Sequence, residues 1–119
     1  MSLIKHHFQP DHEIINASIS GDTTGGGLMR LPQLLIKFSP THVLIELGAN
    51  DGLRGYPLSF IEENIKKMIE ICRSKGARPI LFGMRIPGNY GSRYAEGFAN
   101  IYSKVATEKK VDLLNFDFY

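Results

Sequence analysis

The chain has 119 residues, 43% apolar and 22% charged, with a net charge of +2 at pH 7. That length holds one domain, and the composition is that of an ordinary globular protein. The basic and acidic residues are spread along the chain, which gives no electrostatic case for nucleic acid or a membrane surface, and no apolar run approaches the roughly 20 residues that cross a bilayer.

In chain order, the segment before Glu13 carries His6, His7 and His12 and reads as irregular. Glu13–Ala17 is a short strand candidate, followed by a loop at Ser18–Gly27. Leu28–Phe38 then reads as a helix, with Leu28, Leu31, Leu34, Leu35 and Phe38 at helical spacing. Pro32 falls inside it and calls for a kink or a restart. Ser39-Pro40 separates it from a strand at His42–Leu47, whose apolar run stops at Gly48.

A polar loop, Gly48–Tyr56, comes next, and Pro57 is well placed near the first turn of another helix. Ile61, Ile65, Met68, Ile69 and Cys72 form one apolar stripe on that helix, and Gly76 suits a left-handed cap at its end. Cys72 is the sole cysteine, so no internal disulfide can form and no multi-cysteine metal site exists. On that stripe it reads as a small buried hydrophobe. Arg78–Gly83 is a strand, Met84–Gly91 a long loop, and Tyr94, Phe98, Ile101, Tyr102 and Val105 mark a further helix. Val111–Phe116 is the last strand. The alternation implies an α/β domain, a parallel sheet with helices on both faces.

Loops that follow parallel strands open on one edge of a sheet, where ligands bind in open α/β folds. Three do so here: Ser18–Gly27, Gly48–Tyr56 and Met84–Gly91. The first is glycine-rich but matches neither G-x-G-x-x-G nor G-x-x-x-x-G-K-S/T. It reads as a turn leading to a helix capped by Asp22, Thr23 or Thr24. Alternatively, the Gly21 N–H points into a cleft as a donor. Asn50 is open to two readings: a side chain that ties down its own turn, or an amide donor to a developing oxyanion. Serine chemistry also needs a base held by a carboxylate. Three histidines lie in the amino-terminal segment and His42 opens a strand at the opposite edge, so none is placed as a general base. Ser20 beside Gly21-Asp22 therefore has no base in reach. His6, His7 and His12 match no metal-ligand spacing, and no metal or cofactor is expected.

Three segments carry a family resemblance: I-N-A-S-I-S-G-D-T-T (Ile15–Thr24), I-E-L-G-A-N-D-G-L-R-G (Ile45–Gly55) and G-M-R-I-P-G-N-Y-G-S-R-Y (Gly83–Tyr94). In that order they resemble GDSL/SGNH hydrolases, in the branch of acyl-CoA thioesterase I, protease I and lysophospholipase L1, whose members are often called arylesterases. The resemblance implies a flavodoxin-like three-layer αβα fold and hydrolysis of esters or thioesters through an acyl-enzyme. It also implies an oxyanion hole built in part from the Gly21 N–H and the Asn50 side chain. Asp51, Leu53, Arg54, Tyr56, Ile86, Pro87 and Tyr90 match segments that border the acyl pocket. Branch members are often exported, although no signal peptide is visible here.

Two departures qualify the match. The family's G-D-S-L block with its nucleophile is missing, as is its D-x-x-H block with the acid and base. The chain thus reads as a single partial domain, residues 1–119, lacking the first strand and the C-terminal segment. It is expected to be inactive alone. The missing strand would leave an apolar slot between the strands at Glu13 and His42, and a poorly stable monomer. The alternative is a non-catalytic domain that pairs with another chain, including a second copy, through exposed sheet edges. A weaker one, resting on fold and glycine content, is nucleotide binding.

Overall fold

A computed structural model describes the backbone of residues 2–9 and 12–115 and the side chains from Ala17 to Asn115. The order is β1 (Ser2–Gln9), β2 (His12–Ser20), α1 (Thr24–Phe38), β3 (His42–Glu46), α2 (Ala49–Leu53), α3 (Leu58–Ser74), β4 (Arg78–Gly83), α4 (Ser92–Lys109) and β5 (Asp112–Asn115), with a turn of 3-10 helix at Gly88–Tyr90. The five strands lie in the order β1-β2-β3-β4-β5. β2 to β5 are parallel, and β1 is antiparallel to β2.

Two expectations are corrected at this level. The amino-terminal segment is not irregular: β1 forms a hairpin with β2, Ser2 opposite Ser18 and Gln9 opposite His12. The side chains of His6, His7 and His12, and the end of the last strand at Phe116, lie outside the described residues. The slot between β2 and β3 is closed, for Asn16 pairs with His42 and the ladder runs to Ser20 opposite Glu46. Unpaired strand edges carry unsatisfied N–H and C=O groups, and two parallel edges recover a ladder by moving together.

The helices form one layer. α1 packs on α3 and α3 on α4, which helices on opposite faces of a sheet could not do. The strand order accounts for this. Each crossover from β2 to β5 steps the same way across the sheet, and right-handed crossovers that never reverse place every helix on one face. Among the described residues, then, the α/β fold shows two of the three expected layers.

Burial follows the same division. Along β3, Val43 and Ile45 are buried while His42, Leu44 and Glu46 are half-buried. Ile19, Val43, Ile45 and Leu81 meet Leu31 and Leu35 of α1, the Ile61–Cys72 stripe of α3, and Phe98, Ile101, Tyr102 and Val105 of α4 in one core. Each such side chain taken from water contributes roughly 1.5–3 kcal/mol. Cys72 is fully buried among them, and burial pushes its thiol up to about 12.

Helix ends follow local chemistry. The Thr23 hydroxyl accepts the Gly26 N–H at 3.2 Å and caps α1. Gly76 is left-handed just past α3. α1 begins four residues before the expected start and continues through Pro32 without a restart.

Candidate active site

Three parallel strands deliver their following segments to one edge. β2 ends at Ser20 and Gly21 turns the chain with φ +73°, exposed, with no atom within 4 Å of where a Cβ would stand. Only glycine adopts that backbone readily. Asp22 Oδ1 then accepts the Thr23 N–H at 2.7 Å. Arg30 Nη2 donates to the Ser20 carbonyl at 3.2 Å. Its Nε stands 3.4 Å from Asp22 Oδ2, an ion pair without hydrogen-bond geometry.

Gly25, Gly26 and Gly27 form the first turn of α1 rather than a loop. Close approach favours glycine at two of them: a Cβ on Gly26 would overlap the Asp22 carboxylate, and one on Gly27 would overlap Leu47 Cδ1, so either side chain would have to shift. The N-terminal N–H groups of this helix already face two carboxylates, Asp22 at Thr23 and Asp51 at Thr24. A bound phosphate would meet like charge there, which removes the support for a nucleotide cradle.

The second segment is helical where a loop is expected. Gly48, at φ +121°, leads into α2, and Asn50 lies in its first turn. The Asn50 side chain is half-buried and makes no hydrogen bond; only its backbone carbonyl is engaged, by the Arg54 N–H at 3.2 Å. It does not tie down its own turn. Its amide donors remain available at the carboxyl end of β3.

Asp51 follows directly in α2. Expected on the pocket border, it is fully buried, and both carboxylate oxygens serve Thr24. Oδ1 accepts the Thr24 N–H and Oδ2 the Thr24 hydroxyl, each at 2.7 Å. Asn64 Nδ2 of α3 donates to the same hydroxyl at 3.1 Å. Below this network, the Tyr102 hydroxyl donates to the Leu47 carbonyl at 2.8 Å. Burial first, and the Asp51 charge second, push the Tyr102 phenol well above its ordinary range.

The third segment packs on the second. A Cβ on Gly52 would stand 2.9 Å from Phe98 Cε1 and 3.0 Å from Ile86 Cγ2. Ile86 is accordingly buried, whereas Leu53, Arg54, Pro87 and Tyr90 are exposed around it. The Tyr94 hydroxyl donates to the Tyr56 carbonyl, and the Tyr56 ring meets Phe60 edge-on with centroids 6.1 Å apart. The neighbouring Tyr56 hydroxyl raises the pKa of the Arg54 guanidinium above its ordinary value. A cavity of about 130 Å³ lies further along the same edge, lined by Gly83, Arg85, Asn100, Ser103 and Asn115 among others.

His42, the one histidine whose side chain is described, sits at the amino end of β3, its Nδ1 2.9 Å from Thr41 Oγ1. It is at the far end of the strand from Asn50. Ser20 is half-buried, opposite Glu46, and among the described residues no imidazole lies at this edge. Among the described residues no three His, Cys, Asp or Glu side chains cluster as metal ligands, and no helix is long and apolar enough to cross a membrane.

Residues 2–119 match the family described as GDSL-like lipase/acylhydrolase. The chain belongs to that family. An arylesterase of Vibrio mimicus is 53% identical over 106 residues, 89% of this chain and 53% of the relative. The thioesterase 1/protease 1/lysophospholipase L1 of Escherichia coli K12 is 44% identical over 115 residues, 97% of this chain and 55% of the relative. The crystal structure of the psychrotrophic esterase EstA from Pseudoalteromonas sp. superposes with a TM-score of 0.79 at 43% identity, covering 82% of this chain and 54% of that one. The chain spans about half the length of the curated relatives it matches.

Within this GDSL-like chain, the residues that sequence reasoning passed over are Thr24 as a network member, Asn64, Tyr102 as a donor, and Gly48. One signal did exist. Asn64 is a polar residue at i+3 from Ile61, on the apolar stripe of α3, and a polar group there needs a buried partner.

Proposed function

We propose that this chain is the oxyanion-stabilising core of a serine ester or thioester hydrolase that works through an acyl-enzyme. The Gly21 N–H and the Asn50 Nδ2 are the two donors it supplies. The nucleophile and the His/Asp pair come from flanking G-D-S-L and D-x-x-H blocks that this sequence does not contain. The substrate is a small acyl ester or thioester, with Leu53, Arg54, Tyr56, Ile86, Pro87 and Tyr90 around the acyl chain. One observation carries the reading: a half-buried carboxamide, Asn50, stands at the carboxyl end of a central strand with no hydrogen bond of its own. An amide donor left unpaired is worth most where charge develops in a transition state.

In the reaction so assembled, a serine oxygen adds to the acyl carbonyl and the carbonyl oxygen takes up negative charge. Two fixed donors stabilise that charge more than they stabilise the neutral carbonyl, which lowers the barrier rather than tightening ground-state binding. The 119-residue chain alone should not turn over a short p-nitrophenyl ester. A longer chain carrying both flanking blocks should do so. Turnover by the isolated chain that disappears in Ser20→Ala would refute the proposal.

The edge-pairing alternative loses its main motive, because the interior slot is closed. What supports it now is the outer strand β5, with Leu114 exposed. A concentration-dependent mass in light scattering would favour it.

A further inference from the structure

We infer that Thr24 and Asp51 are positioning residues of the oxyanion site, locking the turn that carries Gly21 to the turn that carries Asn50. The inference rests on the reading of those two residues as the donors. An oxyanion hole works only if its donors are already placed before charge develops. Here the donors belong to different segments, and each segment's own contacts are local: Arg30 and Asp22 brace the turn at Gly21, and the Arg54 N–H the Asn50 carbonyl. No atom beyond its chain neighbours lies within 4 Å of a Cβ position at Gly21, and among the described residues the Asn50 carboxamide makes no hydrogen bond.

What links the segments is the buried clamp. Thr24 lies three positions beyond Gly21 and Asp51 immediately after Asn50, and the two meet across 27 residues of chain. One carboxylate takes the backbone N–H on one oxygen and the hydroxyl on the other, both at 2.7 Å. Two parallel bonds to one planar group restrict rotation as well as separation. Asn64 adds a third element, so α1, α2 and α3 converge on the Thr24 hydroxyl. Thr24 and Asp51 are both fully buried, and Asn64 nearly so. Water cannot replace a lost member without opening the core. The carboxylate also faces the first N–H groups of α1, where negative charge is favoured.

The clamp therefore transmits the position of one donor to the other. Without it, each donor moves with its own loop. A donor displaced by about 1 Å can cost on the order of 100-fold in rate.

The test has two readouts. On the 119-residue chain, NMR follows the Gly21 amide and the Asn50 carboxamide directly. Thr24→Val and Asp51→Asn are expected to shift and broaden both signals, and Thr24→Ser, which keeps the hydroxyl, to preserve them. Val105→Ala truncates a core residue of α4 and controls for lost stability; it should leave both signals in place. If the clamp variants lose stability but leave Gly21 and Asn50 unmoved, the clamp is merely structural and the inference fails.

In the longer chain with both flanking blocks, Asp51→Asn should lower kcat roughly 10- to 100-fold with KM within about threefold. Thr24→Ser should stay within about threefold of the unsubstituted enzyme. An unchanged kcat in Asp51→Asn, or an equal loss in Val105→Ala, would overturn the inference. An unsubstituted longer chain without esterase activity would instead refute the hydrolase reading, and the NMR result would then decide the clamp by itself.

Discussion

Gly48 and Tyr102 should be energetically coupled, because one hydroxyl occupies the space a Cβ would need. Tyr102→Phe removes the donor to the Leu47 carbonyl, whose residue is 1% exposed. An orphaned buried carbonyl costs about 1–2 kcal/mol. Gly48→Ala places a Cβ against the Tyr102 hydroxyl oxygen at φ +121°. The backbone strain is worth roughly 1–3 kcal/mol. Displacing a buried phenol and breaking its hydrogen bond adds about 2–3 kcal/mol. In the Tyr102→Phe background the hydroxyl is gone, and the nearest atoms are the ring Cζ at 3.2 Å and Phe98 Cζ at 3.7 Å. The strain then remains, together with a tight ring contact that a shift of a few tenths of an ångström relieves. Urea unfolding of the four proteins, followed by far-ultraviolet circular dichroism, should give a coupling energy of about 2 kcal/mol in favour of the double variant. Costs that simply add, within about 0.5 kcal/mol, would refute the steric argument.

Three other outcomes follow from the same contacts. Asn50→Ala in the longer chain should lower kcat about 100- to 1,000-fold. Its thermal midpoint should barely move, since that side chain makes no hydrogen bond; a large drop in midpoint would show Asn50 to be structural. Thr23→Ala removes the cap on Gly26 and should cost about 1 kcal/mol in urea unfolding. The third concerns Cys72, whose thiol burial raises from 9.0 to about 12. Above pH 9 the unfolded chain releases this proton and the folded chain keeps it, so the unfolded state binds fewer protons and stability falls as pH rises. The contribution is complete below about pH 9 and disappears towards pH 12. The urea midpoint should therefore decline less steeply across that interval in Cys72→Ala, and equal slopes would disprove the assignment.

Much of this was readable from periodicity. The stripe Ile61, Ile65, Met68, Ile69 and Cys72 is buried as its spacing implies, and the strand at Arg78–Gly83 has the bounds its apolar run implies. A 3.6-residue period or a short apolar run capped by breakers is a local signal, and those elements obey it. The glycine run misled for the opposite reason. Glycine has poor helix propensity, but Thr23 caps α1 ahead of Gly26 and Gly27, where the Asp22 and Leu47 side chains sit close to where a Cβ would stand. The burial of Asp51 had no local signal: it depends on Thr24, 27 residues away, and on Asn64, which converges on the same hydroxyl.

By itself the sequence determined the succession of β2 to β5 with α1, α3 and α4, the segments that follow those strands, and the family those segments resemble. Each depends on residue type and spacing along the chain. Tertiary structure decided the pairing of β2 with β3, the gathering of all long helices on one face, and the clamp between Thr24 and Asp51. Those depend on which backbone edges and buried polar groups find partners far away in the chain, and no local pattern encodes that choice.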